Sequence, residues 1–173
     1  MTKQTISEWA AVKKSKIDNK GMFATKDIPK GTLIIEYAGT RLTKAQSEKR
    51  ADEIIDEAKN KFGKADSVYI FELNKRYDVD GSPLWNTARY INHSCDPNCE
   101  SDIIKGKIWV KSIRDIKKGE ELSYDYGYDI DEYEDHPCKC GASKCVGYIV
   151  SQDDWEKLKR RLARKRLKRM QKN

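Results

Sequence analysis

Three of the five cysteines in this chain crowd into eight residues, C-K-C-G-A-S-K-C at 138–145. Cys138, Cys140 and Cys145 form C-x-C-x4-C, a spacing that lets a short knuckle fold three thiolates around one zinc ion; a closed structural zinc site takes four ligands in a tetrahedron. The fourth donor must come from elsewhere, and Cys95, Cys99 and His136 all qualify. A distant donor would clamp the C-terminal segment onto the body. The odd cysteine count and the clustering fit a reduced compartment and a bound metal better than a disulfide framework. Two further stretches concentrate reactive side chains: W-N-T-A-R-Y-I-N-H-S-C-D-P-N-C at 85–99 and the tyrosine-rich E-E-L-S-Y-D-Y at 120–126. The first is rich in groups that hydrogen-bond their own backbone, the composition of a loop positioned for function.

These groups need elements to hold them. D-N-K-G at 18–21 and P-K-G at 29–31 punctuate short alternating segments, and T-L-I-I-E-Y-A-G, ending at Gly39, reads as a mostly buried strand. Thr43 and Gln46 have the spacing of a capping box. Ala51, Ile54, Ile55, Ala58 and Phe62 then recur at helical spacing, which predicts a helix over about 44–61 ended by Gly63. V-Y-I-F-E-L from Val68, Y-D-V-D-G from Tyr77, K-I-W-V-K-S-I at 107–113 and residues 120–126 read as strands. A last helix is expected from about Asp153, with Trp155, Leu158 and Leu162 on its apolar edge and Ala163, Leu167 and Met170 continuing it one position shifted.

Composition narrows the classes. Lys and Arg number 35 against 28 Asp and Glu, for a net charge of +7 in 173 residues. Residues 151–173 hold ten basic and three acidic side chains, so the excess belongs to the tail and the body is neutral. That argues against a uniformly cationic nucleic-acid binder. No apolar run approaches the roughly 18–20 residues needed to cross a bilayer, and the opening M-T-K-Q-T-I-S-E-W has no apolar core of a secretory signal. The expectation is a monomeric intracellular protein, in the nucleus or on the chromosome if eukaryotic or host-targeted and otherwise cytoplasmic.

Four blocks together resemble the SET-domain protein-lysine methyltransferases that carry a post-SET zinc motif. They are N-K-G-M-F-A-T-K-D-I-P-K-G-T-L-I-I-E-Y-A-G at 19–39, R-Y-I-N-H-S-C-D-P-N at 89–98, G-E-E-L-S-Y-D-Y at 119–126 and C-K-C-G-A-S-K-C at 138–145. The resemblance implies a mainly β, β-clip-like fold: several small sheets with a pseudoknot, one inserted helix, a zinc knuckle and a basic C-terminal helix. The SET domain would span 8–128, the knuckle 134–150 and the helix 151–173. Asn19 stands where the family often has glycine, and asparagine tolerates positive φ; Tyr90 replaces a common Phe and Trp85 a frequent Gly. No cysteine-rich pre-SET segment precedes the domain in this sequence.

By the same resemblance the cofactor is S-adenosylmethionine. The backbone around Lys20, Gly21 and Met22 would line it, glycine permitting close approach; Asn92 and His93 would hold it, with Arg89 supporting the loop or touching the cofactor, and Lys139 would lie against the adenine. Tyr69 would sit near both cofactor and lysine channel, and Phe71 would wall that channel. Tyr126 matches the family's active-site tyrosine, and Tyr124 a neighbouring position where a hydroxyl limits added methyls, implying mono- to dimethylation. A free lysine has a pKa of about 10.4, so a desolvating channel beside a sulfonium would help to discharge it. Cys95 would join Cys138, Cys140 and Cys145 around one structural zinc. Residues 119–135 contain eight acids and no base, which suits a basic, histone-like tail as substrate. The basic helix would contact nucleic acid nonspecifically, pack on that acidic strip or simply solubilise the chain. The alternative function is a catalytically silent SET-like module that binds basic tails or nucleic acid.

Overall fold

A computed structural model describes residues 4–62 and 68–171, the side chains of 58–62 excepted. The chain forms two compact units, residues 1–92 with 97–124, and residues 93–96 with 125–173.

The first unit opens with β1 (Ala10–Lys14) and β2 (Lys20–Ala24), an antiparallel pair. Asn19 takes φ +26° in the bend between them, so it does the work expected of a glycine. β3 (Leu33–Tyr37) and β4 (Thr40–Thr43) follow, then α1 (Lys44–Phe62), β5 (Ile70–Glu72) and β6 (Tyr77–Asp80). After β7 (Asn92–His93) come β8 (Cys99–Ile104), β9 (Lys107–Ser112) and β10 (Ser123–Tyr124). Two three-stranded antiparallel sheets result, ordered β3-β9-β8 and β4-β6-β5. β9 shows the two-residue period of a half-buried strand, with Ile108, Val110 and Ser112 inward. Met22, Ile34, Ile35, Tyr37, Ile91 and Leu122 complete a small core.

The capping box is formed: Thr43 N–H donates to Gln46 Oε1 at 2.9 Å and Gln46 N–H to Thr43 Oγ1 at 3.4 Å. Buried Asp78 on β6 fastens the helix, accepting from Lys44 Nζ at 2.6 Å and from Ser47 Oγ. The expected stop at Gly63 and the side chains of Ala58 and Phe62 lie outside the described residues.

Several boundaries differ from the sequence reading. Residues 120–126 contribute only a two-residue strand, because 119–122 pair instead with the free edge of β2: Leu122 N–H donates to Met22 O at 2.7 Å and Ala24 N–H to Glu120 O at 2.9 Å. Tyr69 precedes β5, and β8 was not anticipated, since C-E-S-D-I-I begins inside a polar loop. Trp85 is accommodated through its backbone, its carbonyl accepting from Thr5 N–H at 2.8 Å.

In the second unit, Ile130, Tyr133, Val150 and Leu158 form a separate core. A 3-10 turn at Gln152–Asp154 leads into α2 (Trp155–Met170), whose buried edge carries Leu158 and Leu162. Leu167 and Met170 are exposed, so the apolar edge does not continue past the second turn. Arg161 pairs with Asp131 at 2.9 Å and Lys165 with Glu134 at 2.7 Å. The helix therefore packs on part of the acidic strip. No described helix is long and apolar enough to cross a membrane.

Candidate functional site

In the first unit, three of the residues expected to line a cofactor, Lys20, Gly21 and Asn92, meet around one carboxylate. The pairing of 119–122 with β2 sets Glu121 beside Gly21. Asn92 Nδ2 donates to Glu121 Oε1 at 2.7 Å and to Lys20 O at 3.0 Å. Ser15 Oγ donates to both Glu121 oxygens at 2.8 and 3.0 Å. A Cβ on Gly21 would lie 2.2 Å from Glu121 Oε1, so the side-chain space of this glycine is filled by the protein's own carboxylate. Met22 is buried in the core one position on.

Tyr69 is held through its carbonyl, which accepts from Gly81 N–H at 2.8 Å and the Tyr37 hydroxyl at 3.1 Å. The Arg89 guanidinium stacks 4.2 Å from the centre of the Tyr69 ring and donates to the Ser82 carbonyl, which makes it a brace for the loop. Its Nε is buried with no partner among the described residues. Tyr124, buried, lies 5.7 Å from Phe71, which lies 4.4 Å from Tyr37, centre to centre. Three rings thus form one aromatic row.

The second unit gathers Cys95, Cys138, Cys140 and Cys145, their sulfurs all within 4.8 Å of one another. Cys95 Sγ lies 3.8 Å from Cys138 and 3.9 Å from Cys145. A tetrahedron with zinc–sulfur bonds of about 2.3 Å has edges of about 3.8 Å, so the donor set fits a tetrahedral thiolate-bound ion. Burial pushes the Cys95 thiol up to about 11 and Cys138 further up. Cys140 is also opposed by burial, yet backbone hydrogen bonds from Cys95 and Ala142 help bring it down to about 7. Four thiolates share this space comfortably only around a cation. Cys99 belongs to the first unit, donates to Asn98 Oδ1 at 3.4 Å and is pushed up to about 12 by burial. His136 stacks edge-on against Tyr128 and is no part of the cluster.

His93 stands beside the cluster with both ring nitrogens engaged. Nδ1 accepts the Tyr126 backbone N–H at 3.2 Å, so it carries no proton. Nε2 therefore bears the hydrogen and donates to Cys95 Sγ at 3.6 Å. Burial lowers the His93 pKa against the opposing pull of Asp125, in keeping with a neutral ring. The Tyr126 ring packs between His93 and Tyr128, at 5.4 and 5.5 Å. Lys139 is exposed between two of the cysteines.

The SET domain family matches residues 19–127. The chain is 39% identical over 137 residues to human histone-lysine N-methyltransferase 2D, covering 76% of this chain and 2% of that protein. It is 40% identical over 151 residues to the histone-lysine N-methyltransferase trr of Drosophila melanogaster, covering 83% and 6%. It is also 40% identical over 139 residues to the H3 lysine-4 specific histone-lysine N-methyltransferase of Schizosaccharomyces pombe, covering 78% and 14%. This chain belongs to the SET-domain family.

The SET match takes in Lys20, Gly21, Met22, Tyr69, Arg89, Asn92, His93, Cys95, Tyr124 and Tyr126, and ends before Cys138. The chain spans only 2–14% of the length of those relatives. Two residues at the centre of the Asn92 network escaped the sequence reading: Glu121, inside the SET match, and Ser15, four positions before it begins. Glu121 stood in plain view inside G-E-E-L-S-Y-D-Y, but among eight acids it read as surface charge.

Proposed function

We propose that this SET domain transfers a methyl group from S-adenosylmethionine to the ε-amine of a lysine in a basic protein, a histone-like tail above all. The observation that supports this most strongly is the Asn92–His93 pair: each side chain is locked by its own partners inside a region that matches the family. The relatives' names, which specify histone lysine, point the same way.

S-adenosylmethionine supplies an activated methyl on a sulfonium. The backbone around Lys20, Gly21 and Met22, with Asn92, His93 and Lys139, would bind it, and Arg89 would brace Tyr69. Asn92 Oδ1 and Arg89 Nε, both without a partner among the described residues, are an acceptor and a donor of the kind an amino-acid moiety uses. Phe71 and Tyr124 would exclude water from the incoming amine, favouring its neutral form, and the Tyr126 hydroxyl would orient its lone pair in line with the methyl. The amine loses its proton to water. Tyr69 completes the aromatic surround. A hydroxyl on Tyr124 limits the product to mono- and dimethyl-lysine, so Tyr124→Phe should raise the methylation state. Zinc, held by Cys95, Cys138, Cys140 and Cys145, has a structural role.

Part of the acidic strip is neutralised by α2, leaving Glu132 and Asp135 exposed without ion pairs among the described residues. Basic-substrate preference should thus be modest and weaken with salt. Arg164, Arg166 and Lys168 of α2, exposed and likewise unpaired among the described residues, are the surface for nonspecific nucleic-acid contact, and chromatin is the setting that unites these partners.

A labelled-methyl assay on histones, acidic and basic peptides and cell extract tests the proposal, with products weighed by mass spectrometry. Methylation of lysine in basic substrates, abolished by Tyr126→Phe, is expected. Cofactor binding without any transfer would favour a silent module.

A further inference from the structure

The most heavily connected side chain near Asn92 is one to which no role has been given. Glu121 accepts the single Ser15 hydroxyl hydrogen, shared between its two oxygens, and one hydrogen bond from Asn92 Nδ2, and it fills the space above Gly21. Ser15 is itself fixed, its Oγ accepting Ile17 N–H at 2.9 Å. Glu121 therefore cannot swing away without breaking its contacts to two buried side chains, Ser15 and Asn92.

An asparagine amide has two ends of similar shape and opposite polarity, and its neighbours decide which way it faces. An ionised carboxylate only accepts, so the end of Asn92 turned to Glu121 must be the NH2. The Lys20 carbonyl, also an acceptor, lies 3.0 Å from the same nitrogen. Both amide hydrogens are committed, and Oδ1 accepts nothing among the described residues. A reversed amide would set oxygen against carboxylate and carbonyl, two repulsive contacts.

We propose that Glu121 is a positioning residue that locks the Asn92 amide with its oxygen outward, so that the site takes an N–H donor of the cofactor there and rejects an acceptor. This rests on the proposed cofactor reading and adds to it the polarity of one contact and the residue that sets it. The cofactor offers two such donors, the α-ammonium and the exocyclic amine of adenine.

The test is calorimetry of the full chain, zinc-loaded, with S-adenosylhomocysteine, a form lacking its α-amine, and a form lacking the purine amine. Wild type should lose at least about tenfold in affinity for one of the two truncated forms, the size of one charge-assisted or well-buried hydrogen bond. Glu121→Met keeps the volume over Gly21 but removes the acceptor. It should bind the parent ligand about tenfold or more weaker and no longer distinguish that truncated form, because the freed amide can turn. Glu121→Gln, which retains an acceptor, should restore most of the discrimination. Ser15→Ala, which loosens Glu121 without removing it, should give a smaller loss in the same direction. In turnover, the Met variant should raise the KM for cofactor far more than it lowers kcat.

A Met variant that binds weakly but discriminates as well as wild type would overturn the proposal and leave Glu121 a packing residue, as would one that binds normally. Should it fail to fold, Ser15→Ala and Glu121→Gln with the truncated ligands still decide. Wild type that binds none of the three overturns the cofactor reading itself, and this proposal with it.

Discussion

Asn92 and His93 are neighbours in sequence but are held by unlike means. Asn92 sits in a network supplied by the protein alone: a carboxylate and a backbone carbonyl take its two amide hydrogens, and a serine hydroxyl fastens the carboxylate. His93 leans on Cys95, one of four sulfurs that need a cation to share so small a space. Its other nitrogen holds the Tyr126 backbone. One half of the proposed cofactor-binding pair is thus preorganised by ordinary hydrogen bonding, and the other is conditional on metal.

Metal removal should expose that difference most sharply. Chelation, or Cys138→Ser, is expected to drop the metal content from one zinc per chain and to abolish amide protection across 125–150, while β1, β2 and β9 stay protected. The free energy at stake is of the order of 10 kcal/mol for a structural zinc site. Hydrogen exchange read by mass spectrometry beside elemental analysis checks it, and equal loss of protection in both units would erase the contrast.

Leu158→Ala comes next, deleting a fully buried side chain from the second unit's small core. It should cost about 2–5 kcal/mol in denaturant titration, with the first unit again spared. In the first unit the sharpest lesion is Gly21→Ala, which drives a methyl into Glu121. Overpacking of this sort costs about 1–3 kcal/mol, and it should weaken cofactor binding without releasing zinc. The smallest effect is expected of Lys165→Ala. Its partner Glu134 is exposed, and exposed pairs add little, so the denaturation midpoint should not move measurably.

How much of this was legible in the sequence depended on the range of the interaction. The Thr43–Gln46 capping box, the positive φ tolerated by Asn19 and the alternation of β9 are set by residues a few positions apart, and each is present. The choice among Cys95, Cys99 and His136 depended on which donor the chain brings to the knuckle, which spacing does not encode; family resemblance pointed to Cys95, and the sulfurs gather there. The strand over 120–126 was overcalled because hydrophobic alternation does not say which edge a segment will pair with; residues 119–122 found β2. Leu167 and Met170 matched the helical period yet stay exposed, since period shows a shared face and not that anything covers it. Glu121 was hidden by its neighbours: within an acidic run, nothing local marks which carboxylate turns toward Asn92.

Binding of S-adenosylhomocysteine measured by calorimetry on one preparation, before and after verified zinc removal and with Asn92→Ala alongside, tests the central claim most directly. One molecule per chain is expected for the zinc-loaded protein, with binding lost both on chelation and in the variant, because Asn92 and the metal-supported His93 are each required. Undiminished binding by zinc-free protein, or by Asn92→Ala, would contradict it.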